Sequence, residues 1–270
     1  MNKRRFNIKD DAVAVLLTVA LMLSGAVMYI VSSDRDKTAP AETTESAVTS
    51  ETPETEASDV EESSQETAPA VRQNELLEDM ESGMSFCFVG DSITRGSVTE
   101  DIPWYEPLTP FIRGEIMNFS EGGWTSSWLV NLEEQAPVAD VYVVAIGIND
   151  VLFIDRPLGA ASAEQFIDNL QMFTDFLLSR NPDAKFYYIT PWPFLNFPEE
   201  AYECCDEFSN EMKEWCDDHG YICIDPFDTI MTVLSEVDTS VYMYNDYHPN
   251  APEGIGLYSY AVLQGANRAD

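Results

Sequence analysis

The chain has 270 residues, with 14 Lys and Arg against 48 Asp and Glu and a formal net charge of −34. A nucleic-acid binder needs a basic stripe to displace counterions from phosphates. The longest basic run here, Lys3-Arg4-Arg5, only precedes an apolar segment, so that class is excluded. So acidic a surface also repels anionic lipid headgroups and polyanionic polymers, and favours neutral or cationic substrates.

The charge divides the chain unevenly. Residues 1–33 carry four basic and two acidic groups, residues 34–82 three and fifteen, and residues 83–270 seven and thirty-one. After a short basic stretch (1–11), the 22 residues from Ala12 to Ser33 carry no charge. At about 1.5 Å per residue they reach about 33 Å, enough for a hydrocarbon core of about 30 Å. Lys3, Arg4, Arg5 and Lys9 precede this segment and Arg35 and Lys37 follow it. That asymmetry predicts a single-pass anchor with the N-terminus in the cytoplasm and the rest outside the cell membrane. A cleaved signal peptide is the competing reading, with Ser24-Gly25-Ala26 as the small-residue site. The apolar run continues through Val27–Val31, which favours the anchor. Both readings export the remainder.

Residues 34–82 are rich in Glu, Thr, Ser, Ala and Pro, with almost no large apolar side chain before Leu76-Leu77. Such a segment cannot bury enough apolar surface to offset chain entropy, and is expected to be a disordered tether. Five cysteines without regular spacing (Cys87, Cys204, Cys205, Cys216 and Cys223) do not form a disulfide framework. Cys87 and Cys223 sit in apolar runs and read as small core residues. With only His219 and His248, no zinc-ligand spacing is present.

Residues 83–270 are the expected folded domain. Apolar runs predict buried strands at Ser85–Val89, Ile116–Phe119, Val141–Ile146, Lys185–Thr190 and Tyr221–Ile224. The clearest helix runs from Ala163 to Arg180, opened by a Ser162/Gln165 capping box and ended by Asn181-Pro182. A second spans Ala201–His219 and closes at Gly220; a third starts near Pro252. Strands alternating with helices imply a parallel sheet covered on both faces, with chemistry beyond the carboxyl ends of its strands.

Four pieces stand at those ends. Gly90-Asp91-Ser92-Ile93 follows the first strand, where Ser92 faces solvent and its N–H can point at a bound group. Asn118 through Gly122-Gly123-Trp124-Thr125 follows the second, where glycine permits close backbone approach. Gly147-Ile148-Asn149-Asp150 follows the third, offering an amide donor, and Asn245-Asp246-Tyr247-His248-Pro249-Asn250 precedes the last helix. Each piece alone is ordinary turn chemistry. In this order they resemble the SGNH/GDSL hydrolase family, named for Ser, Gly, Asn and His in four blocks, and the resemblance covers the whole of 83–270.

That resemblance implies a three-layer α/β/α sandwich with a flavodoxin-like sheet, and esterase or related acyl-transfer chemistry. Ser92 is then the nucleophile and His248 its general base. The resemblance further implies an oxyanion hole of the Ser92 N–H, the Gly123 N–H and the Asn149 side-chain amide, and a mechanism that needs no metal or organic cofactor. The family places Asp three residues before the histidine, where this chain has Asn245; the acid here, Asp246, is two residues before. Asp246 is taken as the third catalytic member. Asn245 is the alternative orienter of His248, and a degenerate, purely binding site is the third reading. Trp104-Tyr105, Trp124 and Trp192 are expected at one rim, either as a platform for a sugar ring or acyl chain or as closure of the sheet top. The functional expectation is an exported esterase acting on a small-molecule or glycan O-acyl ester, with an O-acyltransferase and a non-catalytic carbohydrate-binding protein as rivals.

Overall fold

The computed structural model describes residues 74–152, 154 and 159–267. The basic N-terminus, the expected anchor at 12–33 and residues 34–73 of the expected tether lie outside them. Among the described residues no helix is long and apolar enough to cross a membrane.

The first described element corrects the 82/83 boundary. Helix α1 (Glu75–Glu81) belongs to the folded unit rather than to the tether. Asn74 caps it by accepting the Leu77 N–H at 3.0 Å. Leu76 and Met80, one turn apart, are fully buried. Between them Asp79 receives the Lys185 ammonium at 2.5 Å and the Tyr187 hydroxyl at 2.7 Å. A seven-residue helix is too short to show its period in sequence, and its acids blend with those of the preceding segment.

Five parallel strands follow: β1 (Phe86–Gly90), β2 (Ile116–Ser120), β3 (Val141–Ala145), β4 (Lys185–Ile189) and β5 (Ile222–Ile224). Each lies within one or two residues of its expected span. Their spatial order is β2-β1-β3-β4-β5, the doubly wound order with its switch point between β1 and β3. Because side chains alternate along a strand, the register sorts them onto two faces. Phe88, Val143 and Tyr187 stand in one row, and Cys87, Tyr142 and Phe186 in the next. On the first face Phe88 packs on Trp104 and Tyr105, and Tyr187 reaches Asp79 of α1. On the second, Tyr188 meets Thr174 and Trp215.

The helices fill the two outer layers. α2 (Ser92–Arg95), α3 (Ser126–Asn131) and α4 (Ile148–Leu152) are short. α5 (Ala163–Arg180), α6 (Glu199–His219), α7 (Phe227–Glu236) and α8 (Glu253–Gly265) are longer. The expected caps hold with one adjustment. Ser162 Oγ accepts the Gln165 N–H at 3.2 Å, but Gln165 Oε1 reaches back to the N–H of Ala161, at 2.7 Å. Gly220 ends α6 at φ 72°, a left-handed conformation that glycine adopts without steric cost.

Trp104 and Trp192 are fully buried and pack edge to face, with ring centroids 5.4 Å apart. The Trp104 indole N–H donates to Thr94 Oγ1, and its carbonyl accepts the Ser259 hydroxyl of α8. They close the sheet top rather than forming a platform. Trp124 alone stays half-buried, against Phe119.

Candidate active site

The carboxyl end of β1 turns directly into α2, and Ser92 is that helix's first residue. Only glycine fits at position 90, because a Cβ there would overlap Thr94 Oγ1 and the Ala145 carbonyl. Asp91 caps the turn, accepting the Ile93 N–H at 2.9 Å. Its other carboxylate oxygen has no partner, and the side chain is wholly buried. Burial, reinforced by the charge of Asp150, pushes Asp91 up to about 7. Asn118, in the middle of the neighbouring strand β2, donates to the Thr94 carbonyl at 3.0 Å and so fixes the far side of the same turn.

Ser92 Oγ lies 2.8 Å from His248 Nε2, across 156 residues of chain. The histidine is held by its own loop: Tyr244 N–H donates to the His248 carbonyl at 2.9 Å, and Met243 bridges Pro249. Burial holds the imidazole below its usual range, keeping it neutral and able to accept a proton.

Behind the ring stands Asn245, not Asp246. The Asn245 amide places Nδ2 at 3.1 Å and Oδ1 at 3.2 Å from His248 Nδ1. Oδ1 also accepts the backbone N–H groups of Tyr247 (3.1 Å) and His248 (2.8 Å), an Asx turn that locks the side chain beneath the imidazole. Asp246 points elsewhere. Its carboxylate accepts from Asn196 Nδ2 at 2.8 Å and its carbonyl from the Leu195 N–H at 2.7 Å, tying the histidine loop to the segment after β4.

The two remaining expected oxyanion donors, Gly123 and Asn149, stand beyond the carboxyl ends of β2 and β3. Residues 121–124 form a turn closed by the Trp124 N–H on the Glu121 carbonyl (3.3 Å), with Gly123 at φ 80°. Positive φ at the third turn position requires glycine, and this is why the residue is there. Gly122 sits over the serine: a Cβ on it would lie 4.0 Å from Ser92 Cβ. Asn149, buried at the start of α4, donates one amide hydrogen to the Trp124 carbonyl at 2.8 Å.

One supporting group escaped the sequence reading. Asp150 is fully buried and accepts from Ser126 N (2.9 Å), Ser126 Oγ (2.8 Å) and Ala160 N (3.0 Å). Burial pushes it up to about 6, against the opposing pull of those donors. It binds the Asn149 turn to the helix that follows Gly123, and Asn169 extends the network onto Ser126 at 2.9 Å. The Asn-Asp dipeptide signalled a turn but not the buried partner 24 residues away.

A serine hydrogen-bonded to a buried histidine, at the switch point of a doubly wound sheet, defines an α/β/α hydrolase site of the serine type. The GDSL-like lipase/acylhydrolase family profile matches residues 88–252, and the chain belongs to that family of ester-hydrolysing enzymes. Solved structures share the fold. A candidate GDSL-like lipase from Parabacteroides merdae is 15% identical, with TM-score 0.60, covering 69% of this chain and 97% of that one. Axe2, an acetylxylan esterase from Geobacillus stearothermophilus, is 18% identical, with TM-score 0.57 and coverage of 71% and 97%. LAE5, an alpha/beta hydrolase from the metagenome of Lake Arreo, Spain, is 20% identical, with TM-score 0.53 and coverage of 68% and 95%. Comparison with curated proteins gave no match.

Proposed function

We propose that this protein is an exported, membrane-anchored serine esterase that removes O-acyl groups, acetyl above all, from a carbohydrate. The observation that carries the reading is the 2.8 Å contact between Ser92 Oγ and His248 Nε2. Ser92 Oγ attacks the ester carbonyl while His248 Nε2 takes its proton. The Ser92 and Gly123 N–H groups and the Asn149 amide receive the developing oxyanion. Collapse expels the alcohol, protonated by His248, and leaves an acyl-serine. A water deprotonated by the same nitrogen then releases the acid and restores Ser92. Asn245 Oδ1 accepts the Nδ1 hydrogen and keeps Nε2 bare for each proton it must take.

The substrate class rests on the surroundings. An open groove of about 590 Å³, walled by Val98, Ile102, Pro107 and Ile255 and bordered by Glu100 and Tyr244, adjoins the histidine loop at Tyr244 and Asn250, although neither Ser92 nor His248 lines it. No basic side chain lines it, and Tyr244 is 64% exposed. An aromatic face beside carboxylates suits a neutral sugar chain and disfavours an anionic one. Axe2, whose fold this chain shares, is an acetylxylan esterase. Anchoring rests on the uncharged segment 12–33, and residues 34–73 then act as the spacer that lifts the domain from the cell surface.

The test is hydrolysis of p-nitrophenyl acetate and of acetylated xylo-oligosaccharides by the full chain in detergent, beside Ser92→Ala. Turnover of both, falling by about 10⁴-fold or more in the variant, is expected. Turnover that survives the substitution overturns the serine mechanism. Reaction with long-chain lipids but not with acetylated sugars overturns the substrate class.

A further inference from the structure

Helix α6 ends at His219, turns at Gly220 and feeds directly into the edge strand β5. The Tyr221 N–H closes that turn on the Cys216 carbonyl at 2.9 Å. This sharp return lays β5 against the last turn of the helix that precedes it. Cys216 is fully buried on α6, and Cys223 stands at the centre of β5, opposite Tyr188 in the register. Both therefore lie in the layer between the sheet and α6, beside Tyr188 and Trp215, close enough for their side chains to interact.

Cys223 is also the reachable member of the pair. It is half-buried and lines an open cavity of about 520 Å³ with Lys213, Asp217 and Gly220. The Lys213 ammonium lies close enough to Cys223 for their charges to interact, although Asp225 holds the same ammonium at 2.5 Å. The Cys216 thiol is pushed up by its neighbour Cys223 and by burial, so Cys223 is the member that meets an external reagent first. Of the other three cysteines, Cys87 is buried in β1, while Cys204 and Cys205 are consecutive on α6, near the end far from β5.

We propose that Cys216 and Cys223 are a disulfide-forming pair, oxidised once the domain meets a disulfide-bearing oxidant outside the cytoplasm. The Cys223 thiolate attacks one sulfur of a small-molecule or oxidoreductase disulfide, forming a mixed disulfide and releasing one thiol. Cys216 then loses its proton and attacks the Cys223 sulfur, expelling the second thiol. Two protein thiols and one external disulfide become one protein disulfide and two external thiols, so electrons and protons balance. The bond staples the shortest strand, at the sheet's edge, to the end of the longest helix. It also makes sense of the odd number of cysteines, as one pair and three free thiols.

The full chain in detergent is equilibrated in glutathione buffers from strongly reducing to about −180 mV, the poise of an oxidising compartment. It is then quenched with an alkylating agent under denaturing conditions and analysed by peptide mass. Three alkylated cysteines out of five are expected at the oxidising end, with the Cys216 and Cys223 peptides joined. The midpoint of unfolding should rise by about 5–10 °C relative to the reduced protein. Cys223→Ser should remove that rise and restore alkylation of Cys216. Five alkylated cysteines throughout the series, or a bridge involving Cys87, Cys204 or Cys205, overturns the pairing. The readout is independent of catalysis, so it stands or falls separately from the esterase reading.

Discussion

Asn245 Oδ1 lies 3.2 Å from His248 Nδ1 while accepting the His248 backbone N–H at 2.8 Å, so one amide oxygen fixes both the loop and the ring. The amide can also offer Nδ2, at 3.1 Å from the same ring nitrogen. These contacts favour opposite tautomers. Nδ1–H donating to Oδ1 leaves Nε2 bare and able to take the Ser92 proton. Nδ2–H donating to Nδ1 leaves a hydrogen on Nε2 and a base that cannot act. A carboxylate only accepts, so Asn245→Asp should remove the unproductive state and raise kcat, by about tenfold. Asn245→Ala should lose at least tenfold, since orientation of the base is worth orders of magnitude in serine triads. Asp246→Ala breaks the tie to Asn196 but not the ring contact, and should change kcat less than tenfold. Steady-state kinetics of the three variants decide the matter: a larger loss for Asp246→Ala than for Asn245→Ala would return the acid to the triad.

The pH profile follows from the same site. Burial lowers the His248 pKa, and below it the protonated ring cannot accept from Ser92. The acid limb of kcat/KM should therefore have its midpoint below about 6.5, the ordinary imidazole value. Asn245→Asp places a negative charge beside the ring, stabilises the imidazolium and should move that limb to higher pH. A midpoint above 6.5 in the wild type, or no upward movement in the variant, would contradict this account.

Asn149 spends one amide hydrogen on the Trp124 carbonyl, and in the proposed mechanism the other serves the oxyanion. Asn149→Ala should lower kcat by about 10²–10³-fold with little change in KM, because that donor is used chiefly in the transition state. A rise in KM at constant kcat would instead make Asn149 a substrate-binding group.

Two buried carboxylates should make the fold less stable in alkali. Asp91 is pushed up to about 7 and Asp150 up to about 6, from an ordinary 3.8. Between those limits the folded protein binds more protons than the unfolded chain, so stability is fully present below about pH 4 and declines as pH rises through the folded values. A tenfold difference in proton affinity between the folded and unfolded chain is worth about 1.4 kcal/mol, so the combined loss is on the order of 7 kcal/mol. His248 acts in the opposite sense, and only below about 6.5, because it is buried neutral. Asp91→Asn keeps the capping oxygen and removes one titration, so urea unfolding at pH 5 and pH 8 should show a smaller difference in the variant. An equal difference would show that Asp91 ionises normally.

The parts of this fold that could be read from the sequence are those governed by local chemistry. The strands are continuous apolar runs, α5 carries its own period and cap, and Ser92, Gly123, Asn149 and His248 announce themselves by standing at element ends. What was hidden depends on distant pairing. Asn245 displaces Asp246 because an Asx turn aims its amide at the ring, while Asp246 finds Asn196, 50 residues away. Trp104 is buried because its segment folds beneath α8, where Ser259 meets it from 155 residues on. The contact between Cys216 and Cys223 exists only because Gly220 reverses the chain between them.

Helix α1 is the extreme case, since its ionic tie spans 106 residues. Asp79 meets Lys185 and Tyr187 in β4, and the Met80 carbonyl accepts from Arg113 just before β2. All three contacts lie at or near the amino ends of the strands, opposite Ser92. Leu76→Ala removes a fully buried side chain and should cost about 2–5 kcal/mol of stability. Asp79→Asn should cost less, because Lys185 is half-exposed and Asn still accepts from Tyr187. Both variants should keep wild-type kcat well below their unfolding midpoints, because neither residue touches the site. Denaturant unfolding monitored beside activity separates the possibilities. A Leu76→Ala midpoint equal to wild type would mean that α1 is docked without belonging to the cooperative unit, and that the folded domain does begin near residue 83.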